Sequence, residues 1–399
     1  MSSPENDPSI SIEEPDNDAN PSRIVREYLA ARVPVFDRLA KLRDEVRPQT
    51  APSNVPSLKL TATPVRQGWS NTEADSFFKN QQDQADNANR ETQVHFFKMM
   101  LNIAAQLDHQ TSALTLGQDT PHRTPAVLDI CMAPGGFTKA VLQRNPRVRA
   151  RGLSLPAGAG GHEVLLSRWE RDARLALCFL DITMLAAEMG VTAAPAGHPA
   201  AGSLLSDRPF VGEAFDLVFC DGQVLRTHRR AAWRAGRGRE AGRLTAAQLV
   251  LALQRVRAGG TLVVLMHKAD AWRSVELLRD AHGFAAGGLA LFKPAPMHAK
   301  KSSFYLVARG VQPDGEAARA AVARWKRDWY VATFGSDDEY RRHRATTREA
   351  VEAVLDDFGP ELCRLGGPVW EIQEKALRKA VQSGWRSRAQ QQPAEGGGS

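Results

Sequence analysis

Apolar residues recur at helical spacing through residues 23–47, at Ile24, Tyr28, Leu29, Val33, Phe36, Leu39 and Leu42. Residues three and four apart share one helix face, so this period predicts a helical segment. Residues 72–108 predict one long helix or two shorter ones, with Phe77, Phe78, Val94, Phe97, Leu101 and Ala104 along a buried stripe. The pattern changes at Pro121. AVLDIC (126–131), RARGLSL (149–155), LALCFLDI (175–182), FDLVFCDG (215–222), TLVVLMH (261–267) and SSFYLVARG (302–310) read as strands. FTKAVLQRN, GHEVLLSRWERD, LTAAQLVLALQRVRAGG (244–260) and AWRSVELLRDAHG read as helices between them. Such an alternation predicts an α/β fold, a mostly parallel sheet covered on both faces. From about residue 313 the pattern is helical again.

The chain divides accordingly. Residues 1–22 are acidic, polar and proline-punctuated, and are expected to be disordered. A helical region follows over 23–122, the α/β domain over 123–312 and a second helical region over 313–389. Residues 390–399, QQQPAEGGGS, read as a disordered tail, and the Ala/Pro/Gly-rich stretch 193–214 as a surface insertion.

Charge sharpens the picture. The whole chain is at +7, but its first 22 residues hold six acids and no Lys or Arg, so the remainder carries +13. That balance favours a polyanionic partner. The four cysteines form no CxxC pair, which reads as reduced thiols in a reducing compartment and argues against a zinc site. No apolar run approaches the ~18 residues of a membrane span. A soluble intracellular protein is expected, with nucleus, cytoplasm and mitochondrion all open.

Candidate chemistry gathers at the strand ends. In an open parallel sheet, ligands bind beyond the carboxyl ends of the strands. The turn in VLDICMAPGGFTKAVL (127–142) lies at such an end. Two readings stay open for its glycines: an ordinary strand-to-helix turn, or a turn that brings bare backbone to a ligand. The spacing is neither G-x-G-x-x-G nor G-x-x-x-x-G-K-[ST], which disfavours dinucleotide and phosphate-clamping loops. The third strand ends at Asp181 and the fourth at Asp221. Asp181 reads either as a turn cap or as an acceptor for an adenine amine. Asp221 closes an apolar strand, where a carboxylate points to chemistry.

LDICMAPGGFT, FDLVFCDG, AGGTLVVLMHK and FKPAPMHAKKSSFYLVARG together resemble the FtsJ-type ribose 2′-O-methyltransferases, in particular a fungal FtsJ-domain branch, over about residues 90–312. The resemblance implies a Rossmann-like sheet of seven strands with an antiparallel last strand, S-adenosylmethionine as cofactor, and methylation of RNA 2′-hydroxyls. By position it implies a cofactor turn of Ala133, Pro134, Gly135, Gly136 and Phe137 with Asp129 beneath it. It places Ser154 and Leu155 at the second strand end, where an acid commonly holds the cofactor ribose. Asp181 and Ile182 would face the adenine, and Asp221 would lie between cofactor and substrate.

The family's catalytic group is Lys-Asp-Lys-Glu. A lysine suits the role because burial and neighbours bring its pKa toward working pH. The first lysine maps to Lys98 in HFFKMML, preferred over Lys79, and the aspartate to Asp221. The third position falls on Leu265, with Lys268 three residues on and able to serve only if the strand bends or ends there. The fourth falls on Ser303 instead of Glu. Cys220 lacks the context of a cytosine-methylating nucleophile, and DGQV is not the turn used in amine methylation.

Residues 226–257 hold nine arginines against one acid, Glu240. Arg226, Arg229, Arg230, Arg234 and Arg237, with Lys300 and Lys301, are the candidate RNA contacts, since Arg pairs with phosphates and stacks on bases. A solvated loop is the competing reading of that run. Two functions stand side by side: an RNA ribose 2′-O-methyltransferase, or a degenerate relative that binds S-adenosylmethionine or RNA without turnover. A small-molecule methyltransferase is disfavoured by the arginines. RNA class and oligomeric state are open.

Overall fold

The computed structural model describes residues 20–46, 90–117, 122–224, 237–295 and 297–383. The disordered tails expected at both ends lie outside these residues except for 20–22, as do Lys79 and the stretch 72–89.

Seven strands form one sheet: β1 (Ala126–Ile130), β2 (Arg149–Ser154), β3 (Leu175–Phe179), β4 (Phe215–Cys220), β5 (Val256–His267), β6 (Leu289–Phe292) and β7 (Ser303–Val311). Their order is β3-β2-β1-β4-β5-β7-β6. The first five pair in parallel, while β7 runs antiparallel to both β5 and β6. This is the methyltransferase-type α/β sheet. The chain winds outward from β1 to β3 and then returns to the other side of β1 as β4. That reversal opens a crevice at the carboxyl ends of β1 and β4.

Every residue of β1 is buried, which is why AVLDI shows no polar alternation. Successive side chains go to opposite layers. Val127, Leu217 and Val263 pack with Met100, Ile103 and Phe137 under α3 (Arg90–Thr111) and α4 (Gly136–Arg144). Leu128, Val218 and Val264 face the opposite layer of α5 (Arg237–Arg255) and α6 (Trp272–Phe284). The terminal helices cover that second layer. The repeat over 23–47 forms two helices, α1 (Pro21–Arg32) and α2 (Pro34–Val46), because Pro34 has no N–H to continue the first. They pack on α9 (Arg348–Gln382), where Phe36 meets Trp370 edge-on at 4.9 Å. Gly359 of α9 is required there, since a Cβ would stand 2.4 Å from the Tyr28 hydroxyl. Between them come α7 (Glu316–Phe334) and α8 (Asp337–Arg344). Trp325 and Trp329 of α7 are core residues.

Two expected elements differ. GHEVLLSRWERD forms no α-helix, only one short 3-10 turn at Trp169–Arg171. Gly161 lies so close to the Leu155 carbonyl that a Cβ would be 2.1 Å from it, and Arg168 takes a positive φ of 55°. The chain has no regular structure from 161 to 166, and Leu165 N–H donates to the Pro134 carbonyl at 3.0 Å. The helix expected over 244–260 stops at Arg255. Val256 already pairs with Phe215, ahead of an irregularity in the register. Among the described residues, no helix is long and apolar enough to cross a membrane.

Candidate active site

A cavity of about 600 Å³ opens over the crevice, within the size range of small-molecule sites. One wall is the turn after β1. Its two glycines serve different ends. Gly135 caps α4 with φ 103°, a left-handed conformation that suits glycine. Gly136 allows close packing: a Cβ there would come 2.4 Å from Met100 Cβ and 2.7 Å from the Phe97 carbonyl of α3. The peptide Ala133–Pro134 is cis. Ala133 and Pro134 border the cavity, while Gly135, Gly136 and Phe137 stand behind it. Phe137 is fully buried and stacks on Phe219 at 5.0 Å, so its contribution is to the core.

Asp129 lies beneath the turn, completely buried. Its Oδ2 accepts from Thr138 Oγ1 at 2.6 Å, while Oδ1 has no partner. Burial pushes its carboxyl up to about 7, against the opposing hydrogen bonds of the Thr138 hydroxyl and backbone N–H. An orphaned buried carboxylate oxygen is costly unless it is protonated or a ligand supplies a donor.

Ser154, Leu155, Asp181 and Ile182 border the cavity from β2 and β3. Asp181 has two tasks. It caps the 3-10 turn Ile182–Met184, its Oδ1 accepting from Thr183 N at 2.9 Å and Thr183 Oγ1 at 2.5 Å, and it also faces the cavity.

Asp221, just beyond β4, borders the cavity next to the turn. Tyr305 of β7 donates its hydroxyl to Asp221 Oδ1 at 3.0 Å. Burial pushes the Asp221 carboxyl up to about 7, with the nearby Asp129 adding to the rise and the Tyr305 hydrogen bond opposing it. The next residue is fixed by α5. Gly222 N–H donates to Gln248 Oε1 at 2.8 Å, and Gln248 Nε2 donates back to the Gly222 carbonyl at 3.3 Å.

The lysines do not follow the expected pattern. Lys98 is exposed on the flank of α3, whose Phe96, Met99 and Ile103 face the cavity instead. β5 does end before Lys268, which adopts φ 49°, but the residue is exposed and is not part of the cavity wall. Neither amine is brought to Asp221 in this arrangement. Leu265 packs against the apolar layer beneath α3 and pairs with Tyr305 across the strands. Ser303 is buried, with Oγ 3.1 Å from His298 Nδ1. Tyr305 is the residue that sequence reasoning passed over. Its signal was the period-2 spacing from Ser303, which puts both on one face of β7.

Arg226, Arg229, Arg230 and Arg234 lie outside the described residues, as does the Arg237 side chain. Four other arginines of the run have internal partners. Arg239 donates to the Val331 and Ala332 carbonyls of α7, Arg243 pairs with Glu240, Arg255 with Glu188, and Arg257 with Asp216. This part of the run is structural: Arg239 and Arg255 tie α5 to its surroundings, Arg243 pairs within the helix, and Arg257 links β5 to β4. Lys300 and Lys301 are half-buried, and Lys301 faces the cavity.

The FtsJ-like methyltransferase family model matches residues 105–311, more than half of the chain, and the chain belongs to that family. Its cofactor is S-adenosylmethionine. No curated protein matches the chain. Among solved structures, it is similar to a candidate ribosomal RNA methyltransferase from Plasmodium falciparum at 16% identity, over 52% of this chain and 93% of that one, with a TM-score of 0.32. It is similar to human methyltransferase-like protein 13, solved with SAH, at 13% identity over 61% and 96%, TM-score 0.31. It is also similar to an O-methyltransferase family protein from Burkholderia thailandensis at 14% identity over 58% and 63%, TM-score 0.32.

Proposed function

We propose that this protein transfers a methyl group from S-adenosylmethionine to a ribose 2′-hydroxyl of RNA. The surroundings of the turn suit the cofactor: Asp129, buried behind the cavity wall, has an Oδ1 without a partner, and a cationic amine held at that wall would be drawn toward it. When bound, the cofactor supplies an electrophilic methyl on a sulfonium. Ala133 and Pro134 would border its amino-acid part, and Asp181 and Ile182 its adenine. Ser154 and Leu155 offer no carboxylate to its ribose, and Ser154 would offer a hydroxyl instead.

The observation that carries the reading is Asp221, a carboxylate of the cavity wall next to the turn, oriented by the Tyr305 hydroxyl. A carboxylate with a raised pKa can orient the acceptor hydroxyl and share its proton, and much of the remaining rate comes from positioning. The RNA strand would be gathered by Arg226, Arg229, Arg230, Arg234 and Arg237, which precede or begin α5, and by Lys300 at the rim.

The placement of Lys98, Lys268, Leu265 and Ser303 favours a second reading, in which the protein binds cofactor and RNA without turnover. Tritiated-methyl transfer to total RNA, followed by nuclease digestion and mass spectrometry, tests both. Label on ribose supports the first reading, and label on a base defeats the 2′-O assignment. Measurable cofactor binding with no incorporation leaves the second.

A further inference from the structure

The connection between β6 and β7 carries an amine that the expected Lys-Asp-Lys-Glu group does not contain. Among the described residues that line the cavity, Lys301 is the one lysine, and it shares that wall with Asp221 and Tyr305. Its amine has no hydrogen-bond or ion-pair partner among the described residues. Its backbone, by contrast, is clamped. Lys293 is only 2% exposed and donates Nζ to the carbonyls of Lys301 at 2.5 Å and Ser303 at 2.8 Å. Lys301 N–H donates to the His298 carbonyl at 3.0 Å. The His298 ring lies parallel to Tyr305, with centroids 6.3 Å apart and planes 11° apart. A fixed backbone thus presents a free amine on a rotatable stem to the cavity.

Two groups of the same connection are unsuited to accept the hydroxyl proton that Asp221 orients. His298 on the same connection and His267 at the end of β5 feel its charge, Lys293 holds its backbone, and Asp221, Tyr305, Asp181, Glu240, His95 and His162 line the same cavity. Burial, then the charges of Lys301 and Lys293, push His298 down to about 3, too weak a base to take a hydroxyl proton at neutral pH. Lys293 is committed to two carbonyls. Burial lowers the Lys301 pKa from the ordinary lysine value, which raises its share of neutral amine.

We propose that Lys301 supplies the amine that meets the acceptor hydroxyl, in the place the family resemblance gives to Lys98 and Lys268. The inference rests on the 2′-O reading of the site. In the step, the hydroxyl proton passes to the Lys301 Nζ lone pair. The freed oxygen pair forms the new C–O bond as the methyl C–S bond breaks, and that bonding pair stays with sulfur. The Lys301 ammonium then returns its proton to water. Lys293 is a positioning residue for this amine.

The test compares full-length wild type, Lys301→Met and Lys301→Arg. Both variants are expected to lose about a hundredfold or more in kcat. Both are expected to bind S-adenosylhomocysteine within about threefold of wild type by calorimetry, and Lys301→Arg to keep its RNA affinity. Activity of Lys301→Arg within about threefold of wild type would assign Lys301 to phosphate binding and overturn the proposal. A readout without turnover is acetylation by acetic anhydride, followed by mass spectrometry across pH. Lys301 is expected to react at lower pH than the exposed Lys375, and reaction at the same pH overturns the proposal. Absence of ribose methylation by wild type defeats the functional reading itself. Wild-type activity that survives Lys301→Met defeats only this inference.

Discussion

The cavity has two halves, and they differ in what the fold requires of the sequence. At the ends of β1, β2 and β3, the wall is made largely by backbone shape. The turn needs a left-handed residue at Gly135 and no side chain at Gly136, and both demands are local. At the ends of β4, β5 and β7, the wall is made by side chains that reach in from separate elements. Asp221 is fixed by its strand and by Tyr305. The amine, however, is presented by the β6–β7 connection, while Lys98 and Lys268 stay outside. A turn tolerates few substitutions because its atoms are in contact. A lysine acts at the end of a long stem, so one position can replace another without altering the backbone. The half proposed for the cofactor is therefore constrained by sterics, while the half proposed for the acceptor depends on side chains that more than one position can supply.

The sharpest way to separate the halves is Asp221→Asn. It keeps the shape and can still accept the Tyr305 hydroxyl, but it removes the carboxylate. Methyl transfer to RNA is expected to fall by about a thousandfold, within the range of acid–base contributions. Binding of S-adenosylhomocysteine should change by less than about threefold. Equal loss of binding and turnover in calorimetry and single-turnover kinetics would mean that Asp221 belongs to the cofactor half, and the division would fail.

Gly136→Ala attacks the other half. A methyl 2.4 Å from Met100 Cβ and 2.7 Å from the Phe97 carbonyl forces the turn away from α3. Overpacking of this kind costs about 1–3 kcal/mol. The expected result is a lower urea midpoint together with weakened cofactor binding. An unchanged midpoint would show that α3 yields easily and that the turn is less constrained than its packing implies.

The two buried carboxyls sharpen the comparison through pH. Asp129 and Asp221 lie near 7 in the folded chain against an ordinary value of 3.8. Between those values the folded state binds more protons than the unfolded state. Stability of the cofactor-free protein should therefore fall as pH rises from about 4 to about 7. Asp129→Asn removes one of these titrations and should make the fall shallower in thermal unfolding across that range. An unaltered slope would mean that Asp129 is ionised throughout and that its Oδ1 is satisfied in some other way.

Much of the fold is legible in the sequence because burial on both faces leaves its mark. AVLDI and FDLVFC are apolar through nearly their whole length, and the structure covers both strands from two sides. The segment 161–172 misleads for a physical reason. Its apolar spacing fits a helix, but Gly161 is pressed against the Leu155 carbonyl and the chain leaves helical space at Arg168. The arginine run misleads differently. Composition counts charges but not partners, and Arg239, Arg243, Arg255 and Arg257 are engaged within the protein. The places of Asp181 and Asp221 on the cavity wall are legible because strand ends are positions in a topology. HAKKSS marks Lys301 only as a candidate RNA contact, since nothing in those residues reveals that the connection borders the cavity.

The smallest expected effect lies outside the residues of the family match, where α7 supports the cofactor half. Trp329 is fully buried and donates Nε1–H to the Thr183 carbonyl at 2.9 Å, within the turn that Asp181 caps. Thr183 borders the cavity beside Asp181 and Ile182. Trp329→Phe keeps an aromatic ring but leaves that carbonyl without its donor, a loss of about 1 kcal/mol. If the turn transmits that loss to the ligand, affinity for S-adenosylhomocysteine should weaken about fivefold, while the KM for RNA stays unchanged. An unchanged affinity accompanied by a lower thermal midpoint would confine Trp329 to the core. A matching rise in the KM for RNA would show that the two halves share this support, and the contrast between them would end at the cavity floor.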